Sequence, residues 1–355
     1  MNVFFFWEDV GGLSLAHRCN PYAGLLALAL ARRDIQLELG DYTFSREWLY
    51  DNRQEFSVLH LNWLHHFYRE DSLAGTRERY DRFAANLAYA SELGYRIVWT
   101  MHNLYPHERP FPRIDRAARL LVCEHADVVI THCRHAAQLA ADHFGRRDRV
   151  ETIPHGHFID AFPNNVSRAQ ARSQLRIDDS RFVYLFFGNA RTYKSVESLI
   201  SAFGRAADAD AVLLLMLRSS FNPEYAAELE RQAAGDDRVL VFTDPYFPEA
   251  DFQIYLNAAD AVVLPFAEVL TSGSAITALS FGTPVILPRR GCLPELIDDS
   301  MGILFDPDDD EGLERALSQI RGLDLQAAGE AGYRRAQEFG WHDIARLIAE
   351  IYTSD

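Results

Sequence analysis

The chain has almost no lysine: of its 35 basic residues, Lys194 is the only one that is not arginine. Positive charge is also outweighed overall, because the formal net charge of the 355 residues is −16 at pH 7. Non-specific nucleic-acid binding depends on basic residues that neutralise phosphates along one face, so this composition argues against it. An anionic ligand must instead be held by a few local cations and backbone amides.

Cysteine is scarce and long apolar runs are absent. The four cysteines form no Cys-x-x-Cys pair and no zinc-binding spacing, which excludes a cysteine-based zinc site. No run of eighteen uncharged apolar residues occurs, and the apolar start at residues 1–7 is too short and lacks the basic flank of a signal peptide. We therefore expect a cytoplasmic protein.

The acidic charge is unevenly distributed along the chain. Residues 1–165 carry 18 arginines against 21 acidic residues, whereas the remainder carries 17 basic against 30 acidic residues. The first half therefore tolerates an anionic membrane surface better than the second. This leaves peripheral contact of the first half with the inner membrane face open.

Short β-branched and aromatic runs alternate with helical patterns throughout the chain. This alternation predicts a parallel α/β architecture. In the first half the predicted strands are 2–7, 35–39, 58–61, 97–101, 128–131 and 150–153, and in the second half they begin at 182, 211, 239, 261, 284 and 303.

A polar passage without a strand, residues 154–180, separates the two series of strands. The sequence therefore predicts two doubly wound domains, 1–165 and 166–338, and a last helix within 339–355 that packs back across the boundary. In such sheets ligands bind beyond the carboxyl ends of the strands, and with two domains the natural site is the cleft between them.

The single lysine lies in a distinctive segment. An apolar run, 182–187, is followed by Gly188, by Arg191 and Lys194, and by a helical pattern that starts at Val196. This order predicts a strand, a glycine turn, two cations and a helix. An ammonium contacts phosphate as a point charge and a guanidinium contacts it through two parallel bonds, so the pair suits two phosphates. The alternative is one accidental lysine on a solvated helix face.

A second candidate phosphate site follows the predicted strand at 261–264. Glu268 comes first, and then Ser272, Gly273 and Ser274 precede a helical pattern. Small residues at a helix start leave backbone N–H groups free and add hydroxyl donors, and the helix dipole favours negative charge there. The alternative is that Ser272 or Ser274 only caps the helix.

These motifs occur in a characteristic order. After Gly188, Arg191 and Lys194 come Ala259-Asp260 to Leu264-Pro265, Phe281-Gly282-Thr283-Pro284-Val285 and Leu293-Pro294-Glu295-Leu296; the first half contributes segments 20–22, 100–103, 126–132 and 153–156. The set resembles GT-B glycosyltransferases of the group 1, family 4-like kind. The resemblance implies two Rossmann-like domains facing a central cleft. It also implies a donor held mainly by the second domain, an acceptor held mainly by the first, and no required metal or cofactor.

The resemblance implies roles for individual residues. Arg191 and Lys194 would neutralise the donor diphosphate and stabilise the leaving nucleotide. His102 matches the family histidine that faces the donor sugar or its phosphate, with a purely structural role at a strand end as the alternative. Gly11 and Gly12 resemble the glycine loop after the first strand, where the backbone approaches the ligand closely, and a tight turn without ligand is the alternative.

The chain departs from the family pattern at one point. Many retaining members carry two glutamates separated by seven residues, but here Glu268 is offset by one residue and Thr277 occupies the place of the second. The stereochemical outcome is therefore left open. An inverting enzyme needs a general base in the first domain. Asp9 is the best-placed carboxylate and Glu108 is the second, each with loop capping or a surface ion pair as its alternative.

The segment 60–66 contains three histidines but does not form a metal-binding pattern. His60 and His65 point to opposite sides of an extended chain, and no third ligand is evident. We expect an acceptor-lining loop in which Trp63 offers a flat face to a sugar ring and Asn62 or His65 hydrogen-bonds hydroxyls. Core packing of Trp63 is the alternative.

The sequence thus predicts a glycosyltransferase that moves a hexose from a UDP- or GDP-sugar to a hydroxyl of a saccharide acceptor. A lipid-linked oligosaccharide in surface polysaccharide synthesis is one such acceptor. The nucleotide sugar is a co-substrate, so no cofactor is expected. Two other classes stay open: a nucleotide-sugar epimerase or hydrolase of the same fold, and a non-catalytic partner subunit.

Overall fold

The computed structural model describes residues 1–7, 20–42, 44–206 and 208–354. The chain forms two compact units, Met1–Gly156 together with Gly340–Asp355, and His157–Phe339. Residues 157–165, predicted to lie in the first domain, therefore belong to the second unit. Within the described ranges, no helix has the length and apolar character needed to cross a membrane.

The first unit is a parallel α/β structure. Its strands are β1 (Asn2–Phe6), β2 (Gln36–Gly40), β3 (Val58–Leu61), β4 (Arg96–Thr100), β5 (Val128–Thr131) and β6 (Val150–Thr152). They form a sheet in the order β2-β1-β3-β4-β5-β6. The helices are α1 (Tyr22–Ala31), α2 (Arg46–Asn52), α3 (His65–Tyr68), α4 (Leu73–Glu92), α5 (Pro112–His125) and α6 (Arg134–Phe144). Strands β3 and β5 are buried along their whole length, as expected for a parallel sheet covered by helices on both faces.

The second unit repeats this architecture. Its strands are β7 (Phe182–Asn189), β8 (Ala211–Arg218), β9 (Val239–Asp244), β10 (Ala261–Val263), β11 (Val285–Pro288) and β12 (Gly302–Phe305). They pair in the order β12-β11-β10-β7-β8-β9, again in parallel. The helices are α7 (Arg168–Leu175), α8 (Val196–Ala206), α9 (Pro223–Ala233), α10 (Glu249–Ala258), α11 (Gly273–Ser280), α12 (Leu293–Leu296), α13 (Gly312–Ile320) and α14 (Leu325–Gln337). The predicted α/β class is confirmed.

Each sheet has one point at which the strand order reverses. In the first unit β1 pairs with β2 on one side and with β3 on the other. In the second unit β7 pairs with β8 on one side and with β10 on the other. Ligands of doubly wound folds bind at the carboxyl ends of the strands beside such a reversal. The segments that follow β1, β3, β7 and β10 are therefore the places to search for a site.

The chain returns to the first unit at its end. Helix α15 (Trp341–Thr353) packs against α1, and Ile344 and Ile348 share a buried cluster with Leu26 and Leu30. The hydroxyl of Tyr352 lies 2.5 Å from Nδ1 of His60 in the interior of the first sheet. The last helix is thus part of the hydrophobic core of the first unit.

A buried ion pair ties α7 to the sheet of the second unit. The Arg172 guanidinium is fully buried and donates to Asp260 at 2.7 Å and to backbone carbonyls that include those of Ala258 and Arg181. The same Asp260 oxygen accepts from the backbone N–H of Val183 at 2.7 Å. Both side chains also form hydrogen bonds with fixed backbone groups. The buried charges of Arg172 and Asp260 are therefore compensated.

Candidate functional site

In the second unit, Lys194 lies over the end of β7. It is the last residue of a short 3-10 helix, Thr192–Lys194, and its side chain is buried. A Cβ atom built on Gly188 would come within 2.5 Å of its Nζ atom. Gly188 itself has a φ of 132°, a conformation that favours glycine. The lysine ammonium therefore occupies the space that a side chain at position 188 would need.

The predicted glycine turn at Gly188 is wrong. Gly188 lies within β7 and pairs in register with Leu217 of β8. The strand ends one residue later at Asn189, and the turn is made by the residues that lead into the 3-10 helix. Glycine is needed here for the approach of Lys194 rather than for reversing the chain.

The environment of Lys194 is apolar and cationic. Its Nζ lies 5.8 Å from the ring centroid of Phe186 and 5.7 Å from that of Phe266. Burial, and then the positive charge of Arg191, lower the pKa of Lys194 to about 8. In the part of the chain that the structure describes, no carboxylate forms an ion pair with it. A buried ammonium without a carboxylate partner among the described residues attracts an anion.

Arg191 is half-buried beside this site. Its guanidinium stacks on the ring of Phe221, with 4.4 Å between the guanidinium carbon and the ring centroid. Its charge reaches Lys194, because Arg191 contributes to the lowered pKa of that residue. The positive charges of the two predicted cations therefore act on each other.

The serine-rich segment after β10 adjoins the same place. Ser272 is the N-cap residue of α11, and its Oγ accepts from the backbone N–H of Ala275 at 3.1 Å. Ser274 Oγ lies 3.7 Å from the position of a Cβ at Gly188. The capping interpretation of Ser272 is thus correct, while the Ser274 hydroxyl lies near Gly188 at the end of β7.

The carboxylate predicted in this loop lies at the surface, because Glu268 is exposed. Thr277, in the place of the second family glutamate, is buried and donates from Oγ1 to the carbonyl of Gly273 at 2.8 Å. Its hydroxyl is therefore used within the helix. The described contacts at the end of β7 come from cations, glycine and serine rather than from a pair of carboxylates.

In the first unit, two hydrogen bonds join two histidines and an asparagine at the ends of β3, β4 and β5, and two more connect this group to backbone carbonyls. His102 Nε2 lies 3.0 Å from Oδ1 of Asn62. His102 Nδ1 lies 3.2 Å from Nε2 of His132, whose Nδ1 lies 2.9 Å from the carbonyl oxygen of Ile153. Asn62 Nδ2 donates to the carbonyl of Phe6 at 3.0 Å, which connects the chain to the end of β1. We call this arrangement the His102 chain.

Aromatic rings enclose the His102 chain. Trp63 stacks on the His102 ring with 4.6 Å between centroids, and Tyr22 meets it edge-on at 5.3 Å. His155 lies 5.3 Å from His132, between ring centroids. The enclosure removes water from the imidazoles and disfavours their charged forms.

Burial lowers the pKa values of all four interior histidines. The pKa falls to about 3 for His60, to about 4 for His132 and to about 3 for His155. For His102 it falls well below its usual range, first through burial and then through His132. These imidazoles are therefore neutral at pH 7 in the folded protein.

The other residues considered in the first half of the sequence are placed differently from His102. His60 lies in the core, where its Nε2 is 2.7 Å from the hydroxyl of Thr100, and His65 is partly exposed with its ring 4.2 Å from that of His66. Glu108 is exposed. The predicted residues Asp9, Gly11 and Gly12 lie outside the described residues.

A metal interpretation finds no support among the residues that the structure places. No group of three or more His, Cys, Asp or Glu there is arranged to hold an ion. The neighbouring imidazoles of the His102 chain face one another and accept or donate hydrogen bonds instead.

Sequence reasoning missed His132 and His155. The available signal was that three consecutive predicted strands are each followed within a few residues by a histidine, His102, His132 and His155. Because the carboxyl ends of parallel strands meet at one edge of a sheet, this recurrence predicts a cluster.

Both halves of the chain match known protein families. Residues 181–321 match the family model for glycosyl transferases group 1, and residues 21–160 match that for glycosyltransferase family 4. The chain is 27% identical to a GDP-mannose:glycolipid 4-beta-D-mannosyltransferase of Xanthomonas campestris pv. campestris, over 84% of this chain and 79% of the relative. It is 28% identical to a D-inositol 3-phosphate glycosyltransferase of Pseudarthrobacter chlorophenolicus, over 76% and 67%.

Solved structures of similar architecture span the whole chain. The sucrose-phosphate synthase of Thermosynechococcus elongatus superposes with a TM-score of 0.75 at 19% identity, covering 99% of this chain and 98% of that one. HepE of Anabaena, solved with UDP-glucose, gives a TM-score of 0.74 at 17% identity and covers 100% of both chains. At this level of identity the likeness establishes the fold, which is GT-B.

Proposed function

Because the chain belongs to the group 1 glycosyltransferases of the GT-B fold, we propose that it transfers a hexose from a nucleotide diphosphate sugar to a saccharide hydroxyl. The second unit binds the donor in this proposal, and the first unit binds the acceptor. The nucleotide diphosphate is the leaving group.

One observation carries the donor assignment: a buried lysine without a carboxylate partner among the described residues lies at the strand-order reversal of the second sheet. Lys194 lies against Gly188, and the start of α11 with Ser274 adjoins that glycine. A diphosphate offers negative charge to compensate the buried Lys194 ammonium. Backbone N–H groups at the start of α11 add to the attraction.

The two cations have a chemical role in the proposed reaction. As the bond between the hexose and the diphosphate breaks, negative charge develops on the leaving oxygen. Lys194 and Arg191 stabilise that charge, and they do so more strongly in a buried site than in water. This is the work that a divalent cation performs in other phosphate chemistry, so we propose that the enzyme is independent of metal.

The relatives suggest donor and acceptor classes. The Xanthomonas relative is named for GDP-mannose and a glycolipid, and HepE was solved with UDP-glucose. We extend these names to a GDP- or UDP-hexose as donor and a lipid-linked saccharide of a surface polysaccharide as acceptor. Trp63, half-buried beside His102, provides a ring face for the acceptor sugar, and His65 provides a polar side chain nearby. Peripheral association with the cytoplasmic membrane face through the first unit is part of this proposal.

A thermal-shift panel of UDP-, GDP-, ADP- and TDP-sugars tests the donor class. A donor present at 100 times its Kd stabilises the folded protein by about 2.7 kcal/mol, which gives a clear rise in the melting temperature. We expect one base to produce the rise with both the sugar and the free nucleoside diphosphate. No rise with any of the four would contradict the proposed function.

A second assay separates transfer from epimerisation or hydrolysis. The stabilising donor is incubated with and without a saccharide acceptor, and nucleotide release is followed together with the sugar product. Release that depends on acceptor supports the transferase. Equal release without acceptor, with a free sugar or epimer as product, assigns the alternative activity to the same site.

A further inference from the structure

Phe221 places an exposed aromatic ring next to the proposed donor site. It lies three residues after β8, and 48% of its surface is accessible to solvent. The Arg191 guanidinium carbon is 4.4 Å from its ring centroid, and that of Arg218 is 5.4 Å from the same centroid. Single exposed apolar residues are common on protein surfaces, but a ring shared by two guanidinium groups is a specific contact. The ring thus connects the segments at the carboxyl ends of β7 and β8, which are neighbours in the sheet.

The backbone around Phe221 is held in place by hydrogen bonds. The N–H of Ser219 donates to the carbonyl of Asp244 at 3.0 Å, and the N–H of Asn222 donates to the carbonyl of Ser219 at 3.1 Å. The Asn222 side chain accepts from the N–H of Tyr225 at 3.0 Å, at the start of α9. These bonds fix the turn to the end of β9 on one side and to α9 on the other. The exposed ring is therefore presented from a turn whose backbone is fixed.

The backbone beside Arg191 is fixed as well, but its side chain is long. The N–H of Ala190 donates to the carbonyl of Arg218 at 2.8 Å. The carbonyl of Arg191 accepts from the N–H of Lys194 at 2.9 Å. An arginine side chain has several rotatable bonds and loses their freedom when its guanidinium is held in one place. Without a ligand, the positive charge of Lys194 also repels the guanidinium. A contact that holds the guanidinium therefore favours the arrangement in which both cations meet one diphosphate.

An aromatic ring is suited to this support because it carries no charge. The face of the ring attracts a guanidinium through its quadrupole, whereas a carboxylate would neutralise the cation and compete with the phosphate groups. At an exposed position such a contact favours the stacked arrangement by about two- to fivefold. Phe221 thus orients the Arg191 guanidinium and adds no negative charge to the site.

We propose that Phe221 is a positioning residue of the donor site, and that its ring holds the Arg191 guanidinium where it acts together with Lys194 on the diphosphate. The inference rests on the proposed function. Phe221 touches no reacting atom in the proposed arrangement and acts only through Arg191. Arg218 is the second partner of the ring. Its guanidinium carbon also lies 5.7 Å from the ring centroid of Tyr246, which links Phe221 to the segment that follows β9.

The test is a calorimetric titration of Phe221 variants with GDP and UDP. Phe221→Leu keeps an apolar side chain in the turn but removes the ring, so we expect the preferred nucleotide to bind about threefold more weakly or worse. Phe221→Tyr keeps the ring and should restore the binding. Tyr50→Leu is the matched control, because Tyr50 is 50% exposed and its ring lies 3.6 Å from the Arg53 guanidinium carbon in the first unit. This control should bind the nucleotide as the parent does.

A double-mutant cycle separates the positioning of Arg191 from a general effect on the turn. Arg191→Ala removes the cation, so adding Phe221→Leu to that variant should cause no further loss of affinity. Equal losses in the parent and in the Arg191→Ala background would overturn the proposal, because the ring would then act without the arginine. Parent-like affinity of Phe221→Leu would overturn it as well.

The contact between Phe221 and Arg191 can also be measured without a variant of Phe221, which decides the matter if Phe221→Leu does not fold. The ring current of Phe221 should shift the δ-proton resonances of Arg191 upfield in the parent, and Arg191→Lys identifies those resonances. Unshifted resonances would overturn the proposal. A parent that binds neither GDP nor UDP contradicts the proposed function, whereas a parent that binds one of them no better than Phe221→Leu does refutes only the role of Phe221.

Discussion

Lys194 Nζ and Gly188 are mutually dependent, because a Cβ atom at Gly188 would lie 2.5 Å from that nitrogen. Gly188 has a φ of 132°, which favours glycine. Its backbone conformation and the close approach of Lys194 therefore both disfavour a side chain at this position. The buried ammonium is thereby held at the end of β7 without a carboxylate partner among the described residues. The one lysine of the chain thus fills the space that a side chain at Gly188 would need.

Gly188→Ala should therefore weaken donor binding and lower stability. The substitution strains the backbone and displaces Lys194, and we expect a loss of about 1–3 kcal/mol in the free energy of unfolding. We also expect at least a tenfold weaker Kd for the donor nucleotide by calorimetry. Gly204→Ala is the matched control, because Gly204 lies in α8 with open space at its Cβ position. It should bind normally and gain up to about 1 kcal/mol. Equal behaviour of the two variants would contradict this account.

The affinity for nucleoside diphosphate should depend on pH through Lys194. Its pKa is about 8 in the free protein, and a bound diphosphate raises it because the charged form gains a partner. Affinity therefore falls as the pH rises above about 8, and binding in that range takes up a proton. Calorimetry at pH 8.5 in two buffers of different ionisation enthalpy measures that uptake. Lys194→Arg keeps its charge and should show none; identical uptake in this variant would assign the proton to another group.

The Arg172–Asp260 pair should be among the most sensitive points of the second unit. Asp260→Ala leaves the Arg172 guanidinium buried without its carboxylate, and loss of one partner of such a pair costs about 3–5 kcal/mol. Arg346→Ala breaks an exposed pair with Glu350 and should cost less than about 1 kcal/mol. Urea unfolding of both variants gives the comparison. A small loss in Asp260→Ala would show that water replaces the carboxylate.

The neutral interior histidines should make the first unit sensitive to acid. In the unfolded chain they titrate near pH 6.5, whereas the folded pKa values are about 3 for His60 and His155 and about 4 for His132. The unfolded state thus binds more protons, and stability is present in full above about pH 6.5 and declines as the pH falls towards 4. Each such histidine adds up to about 1.4 kcal/mol per pH unit to the slope.

His155→Phe should reduce the slope of the unfolding free energy against pH by the contribution of one histidine. His143→Gln should leave that slope unchanged because His143 is exposed. Unfolding free energies measured at half-unit steps between pH 4.5 and 7 check this expectation. A slope in His155→Phe equal to that of the parent would mean that His155 titrates normally in the folded state.

The order of strands and helices was predictable because each strand is a short apolar run bounded by polar residues. Strands β3 and β5 begin and end at the predicted residues, since burial sets their limits. Gly188 was misplaced because its strand continues through a backbone conformation that sequence patterns associate with turns. The link between His102 and His132 required the order of strands in the sheet, which no local pattern encodes. Asp9, Gly11 and Gly12 remain predictions.

The most direct test of the central claim is a calorimetric titration of the parent, Lys194→Ala and Arg205→Ala with GDP and UDP at pH 7.5. Arg205, an exposed arginine of α8 paired with Glu314, is the matched control for loss of a positive charge in the same unit. We predict that Lys194→Ala binds the preferred nucleotide at least tenfold more weakly, while Arg205→Ala binds it as the parent does. Binding by Lys194→Ala as tight as that of the parent would contradict the assignment of the diphosphate to this site.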